Sequence, residues 1–104
     1  MAEFVTVARA DELVPGDMKL VQLGDEEVVI ANVDGGFYAF GNECTHVGGP
    51  LVEGTLSGDA VRCPWHGTEF NVKTGRPLHG PGTEPVPIYE VRVENGEIRI
   101  AARE

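Results

Sequence analysis

Residues 89–101 read YEVRVENGEIRIA, and this stretch decides the class of fold. On either side of Asn95-Gly96, Val91, Val93, Ile98 and Ile100 alternate with Glu90, Arg92, Glu97 and Arg99. A period of two puts the apolar side chains on one face of a strand and the charges on the other. Asn-Gly tolerates the positive φ that a two-residue hairpin turn demands, so the segment is a hairpin with one dry face and one wet face. Asp34-Gly35-Gly36 marks a second hairpin in the same way. Further short runs rich in Val, Ile, Phe and Tyr extend the pattern to strands at Glu3–Ala8, Lys19–Leu23, Glu27–Val33, Gly36–Gly41, Ala60–Cys63, Glu69–Val72, Tyr89–Glu94 and Glu97–Ala101. Helical periodicity is largely missing, and Pro15-Gly16 cuts short any turn begun at Ala10. The expected fold is all-β, a small antiparallel sandwich or barrel.

With 104 residues the chain has room for one core, so a single domain over 1–104 is expected. The formal charge of −9 opposes binding to nucleic acid and favours partners with basic surfaces. The longest apolar run, Val28 to Ala31, is far too short for a membrane span. No basic cluster ahead of an apolar run marks Met1–Val14 as an export signal. Together with only two cysteines, too few for a disulfide scaffold, this reads as a cytoplasmic protein with free thiols.

The middle, 42–87, differs from the strand-rich flanks: most of the prolines, both cysteines and all three histidines lie there. It reads as a loop-rich subdomain carried by the flanking strands. Cys44-Thr45-His46 and Cys63-Pro64-Trp65-His66 each put a thiol and an imidazole in a Gly/Pro-rich loop, with sixteen residues between His46 and Cys63. A lone Cys is usually a small buried hydrophobe and a lone His a hydrogen-bonded surface group. Two of each, paired loop by loop, point instead to a four-ligand metal site. Tetrahedral zinc accepts such a set, although zinc fingers group like with like.

The mixed order, Cys-x-His then Cys-x₂-His, resembles the Rieske family over nearly the whole chain. That resemblance implies one [2Fe–2S] cluster with Cys44 and Cys63 on one iron and His46 and His66 on the other. Two thiolates leave the oxidised centre neutral, where four would leave it doubly negative, so electron uptake is easier. Thiolate donation favours the ferric state at its own iron, so the added electron is expected on the His-bound iron. The histidine edges would then form the exit port toward a partner.

High-potential members of the family carry two further cysteines that tie the loops together, at positions held here by Gly49 and Trp65. They also place a serine and a tyrosine where this chain has Thr68 and Phe70. Thr68 keeps one possible hydrogen bond to the cluster, whereas Phe70 has no hydroxyl. A potential at the low end of roughly −150 to +300 mV is expected. Trp65 either shields the cluster loop or is an ordinary core aromatic. Gly80-Pro81-Gly82 resembles the family's proline loop, and His79 is read as a loop residue outside the ligand set. Acidic runs such as Asp25-Glu26-Glu27 read as solvated turns.

The resemblance implies a soluble, monomeric Rieske ferredoxin, an electron carrier rather than an enzyme. It would pass electrons from a flavin-containing NAD(P)H reductase to a terminal non-haem iron oxygenase. No nucleotide-binding or nucleophile motif contradicts this. Two alternatives remain at this level: a small Rieske subunit of another redox enzyme such as nitrite reductase, and a zinc-stabilised binding module.

Overall fold

The computed structural model describes residues 4–44, 49–65, 67–79 and 84–102. Along the chain run β1 (Val5–Arg9), β2 (Met18–Leu23), β3 (Glu26–Val33), β4 (Gly36–Gly41), β5 (Thr55–Ser57), β6 (Ala60–Arg62), β7 (Glu69–Asn71), β8 (Pro77–His79), β9 (Ile88–Glu94) and β10 (Glu97–Ala102). Short 3-10 turns occupy Ala10–Glu12 and Leu51–Glu53. The strands form a six-stranded sheet in the order β1-β10-β9-β4-β3-β2 and a four-stranded sheet in the order β5-β6-β7-β8, with antiparallel pairing throughout. The fold is all-β, and among the described residues no helix is long and apolar enough to cross a membrane.

Both expected hairpins are present. Asn95 (φ 52°) and Gly96 (φ 76°) turn β9 into β10, with Ile98 opposite Val93 and Ile100 opposite Val91. Asp34 (φ 52°) and Gly35 (φ 93°) turn β3 into β4, with Gly36 already paired to Val33. Two strands depart from the sequence reading. β5 contains a single apolar residue, Leu56, and β8 opens on a proline, so neither carries a strand signal of its own. His79 accordingly lies in a strand opposite Glu69, not in a loop as the sequence suggested. Ala10–Glu12 does make a short turn, held by the Arg9 N–H donating to Glu12 Oε2 at 3.1 Å.

The run Val28–Ala31 is apolar without alternation because β3 is covered on both sides. Val28 and Ile30 join Ala8, Leu13, Ala39, Ile98 and Ile100 in one core. Val29 and Ala31 face the other way and pack with Phe40, Leu51, Val61, Phe70 and Val72 against the small sheet. β3 is therefore the wall shared by two cores. β5 to β8 lie between β4 and β9 in sequence, and the Gly41 N–H donates to the Pro87 carbonyl at 2.9 Å where the chain leaves and rejoins the large sheet.

Candidate metal centre

Cys44 and Cys63 are buried, carry free thiols and belong to the same core as Phe40, Leu51 and Phe70. Each begins a loop closed in the same manner. The Cys44 N–H donates to the Gly49 carbonyl and the Cys63 N–H to the Thr68 carbonyl, both at 2.8 Å and both reaching five residues on. Outside the first closure Glu43 bridges Pro50, and outside the second Arg62 pairs with Glu69. Two tight loops, each with a thiol at its base, therefore stand side by side.

Gly49 and Trp65 join the two loops. A Cβ at Gly49 would stand 3.0 Å from Cys63 Sγ, 3.1 Å from Trp65 Cδ2 and 3.2 Å from Trp65 Cε3. The missing side chain at Gly49 gives the second thiol and the Trp65 ring room that a Cβ would crowd by a few tenths of an ångström. Trp65 is 51% exposed, so it is not the ordinary core aromatic that the sequence also allowed; its indole lies over Gly49 instead. Thr68 and Phe70 are fully buried beneath the second loop. Gly67 has φ +76°, a conformation that residues with a Cβ adopt only with strain.

Burial pushes the Cys63 thiol above its usual range; the Trp65 backbone N–H opposes this, and Cys44 beside it adds to the rise. A buried thiol that resists ionisation, with a second buried thiol beside it, is a poor partner for water and a good one for a cation that replaces its proton. The two buried thiols thus fit a thiophilic metal group between them. His46, His66 and Pro81 lie outside the described residues. Among the described residues, accordingly, no three potential ligands of the His/Cys/Asp/Glu type gather.

Asn42 is a residue that pattern reading passed over. It is 5% exposed with every polar group engaged. Its N–H donates to the Glu27 carbonyl and its own carbonyl accepts from Leu51, while its side chain donates to Glu27 Oε1 at 3.1 Å and accepts from the Val52 N–H at 2.9 Å. It fixes both ends of the first loop two residues before Cys44. Glu27 is consequently more than part of a solvated acidic turn. The only signal in the sequence was an Asn following a strand-ending Gly, which reads as any turn would.

A β-domain that offers one buried thiol at the base of each of two like loops belongs to the class that holds a metal group between loop tips. The chain is a member of the Rieske [2Fe-2S] domain family, whose model matches residues 3–90. It is 39% identical over 99 residues to ferredoxin CarAc of Metapseudomonas resinovorans, covering 94% of this chain and 92% of that protein. It is also 40% identical over 97 residues to apoptosis-inducing factor 3 of Mus musculus, covering 93% of this chain but only 16% of that longer protein. Among solved structures, a complex of reduced oxygenase and oxidized ferredoxin in carbazole 1,9a-dioxygenase matches with a TM-score of 0.92 and 38% identity, over 97% of this chain and 94% of that one. A nitrite reductase small subunit from Mycobacterium tuberculosis, described as NADH-dependent, matches with a TM-score of 0.88 and 28% identity, over 100% of this chain and 98% of that one. Membership of this family implies a [2Fe-2S] cluster, and the ferredoxins among these relatives are electron carriers rather than catalysts.

Proposed function

We propose that the chain is a Rieske ferredoxin holding one [2Fe-2S] cluster, with Cys44 and Cys63 on one iron and His46 and His66 on the other. The segment of about 42–87 acts as the cluster-binding unit within a single domain over 1–104. The observation that carries this reading is the pair of equivalent loops, each with a buried free thiol at its base and both within one core. The cluster supplies a site for one electron, taken up and released with no bond broken in the protein. Cys44 and Cys63 hold it from the apolar side, and Gly49 admits the close approach of the two loops. Thr68 and Phe70 exclude water from beneath it. Gly80-Pro81-Gly82, which lie outside the described residues, correspond by resemblance to the family's proline loop.

The partners in this reading are a flavin-containing NAD(P)H reductase as donor and a terminal non-haem iron oxygenase as acceptor. Support comes from the near full-length match to ferredoxin CarAc and to a ferredoxin solved with its oxygenase. The chain works as a monomer in the cytosol, where the reducing environment keeps both thiols available.

The likeness to the nitrite reductase small subunit favours a second reading, in which the same domain stays bound to a large catalytic partner. Anaerobically purified protein tests both. The first reading expects two irons and two acid-labile sulfides per chain, a paramagnetic signal after dithionite, and NADH-driven transfer through a reductase to an oxygenase. Co-purification with one large subunit through gel filtration selects the second. A colourless protein with one zinc and no sulfide overturns both.

A further inference from the structure

We propose that Arg62 is a positive charge built against the second loop to favour electron uptake at the centre, an inference that rests on the ferredoxin reading above. Arg62 ends β6 directly before Cys63. Its guanidinium lies against Gly67: a Cβ there would stand 3.0 Å from Nη2, 3.1 Å from Nε and 3.5 Å from Cζ. The positive φ of Gly67 and the missing side chain together make room for that stacking. The guanidinium is therefore seated, still exposed, against the backbone of the loop that Cys63 opens.

No close ion pair among the described residues holds the Arg62 guanidinium, although two carboxylates lie in its neighbourhood. Arg62 shares a groove with Glu53, Thr55, Cys63, Pro64 and Gly67, and Glu69 lies opposite on β7. None of the ion pairs among the described residues includes Arg62, whereas Arg9, Lys19 and Arg99 all form them. A chain with a net charge of −9 repels an incoming electron in general. A cation fixed beside the acceptor locally offsets that field, and its effect is largest where water is displaced. Uptake of one electron from an external reductant adds one negative charge and forms or breaks no bond, so the guanidinium acts on the reduced state alone. Arg62 is thus a tuning residue that touches the loop and not the transferred electron.

The test is a spectroelectrochemical titration of the intact cluster-loaded chain with dithionite, comparing wild type, R62Q and R62K. R62Q should titrate at a lower potential, with the reduced-to-oxidised ratio at a fixed poise falling on the order of threefold. R62K should stay close to wild type, and added salt should narrow the gap. A packing role alone would not be rescued by lysine, which cannot stack as a planar group. Equal potentials for wild type and R62Q, with absorbance and sulfide intact, overturn the inference. Should R62Q shed the cluster, R62A replaces it; loss of the cluster from both variants also overturns it, in favour of a structural role. Wild type without iron and sulfide would instead sink the ferredoxin reading, so the two failures are told apart.

Discussion

A methyl group at position 49 would be crowded, because Cys63 Sγ and the Trp65 ring stand 3.0–3.2 Å from where it would sit. G49A should push the Trp65 ring and Cys63 Sγ back by a few tenths of an ångström. The expected result is a fall in iron bound per chain on purification, measured against a far-ultraviolet spectrum that keeps its β signature. C63S should abolish the visible absorption entirely, since a serine hydroxyl does not replace a buried thiolate toward iron. Away from the site, Glu12 accepts from Lys19 Nζ at 3.0 Å and from the Arg9 N–H, and these hold its carboxyl below the usual range. A depressed acid stabilises the fold above its unfolded pKa and loses that contribution as pH falls through the folded value. E12Q should therefore unfold at slightly lower urea than wild type at pH 7, and the two should converge as the pH falls through the folded-state value. The cysteines and histidines stood out as candidate ligands because their types and spacing are rare together. Asn42 and Arg62 were not, since an Asn or Arg has no marked role until the fold shows what its polar atoms meet.

Hairpins, as elements, were readable from their turns. Asn95-Gly96 announces its own backbone geometry, and G96A at φ +76° should lower the unfolding free energy by about 1 kcal/mol in a denaturant titration. β5 and β8 escaped notice for the opposite reason. Each is three residues long, held by neighbours on one small sheet, and selected by tertiary pairing rather than local preference. The first loop depends on Asn42 in a similar way. N42A removes the Oδ1 acceptor and strands the Val52 N–H, with an expected cost of roughly 1–3 kcal/mol and a drop in iron content.

The whole molecule is organised around β3, whose two faces serve different cores. The sequence showed an uninterrupted apolar run there but not that it divided two cores, because a double-sided strand has no alternation to read. Under the proposed ligation, removing the cluster with acid or chelator would take away the partner of Cys44 and Cys63, which share a core with Val29, Ala31 and Phe40. Cluster-free protein should melt at a lower temperature and bind a hydrophobic dye more strongly, with the change blunted by reconstitution. The −9 charge was legible from composition alone, and under the ferredoxin reading, with a partner of basic surface, transfer should slow as ionic strength rises.

The hydrogen bond from Gly41 to Pro87 gives the segment between them a closed geometry, since its two ends are already neighbours in the large sheet. Closing a longer excursion from fixed ends costs only logarithmically more in chain entropy. Insertions at exposed bends inside that segment, such as Gly58-Asp59, should thus leave the outer strand register untouched, giving evolution a place to reshape the docking face while the frame beneath it stays constant.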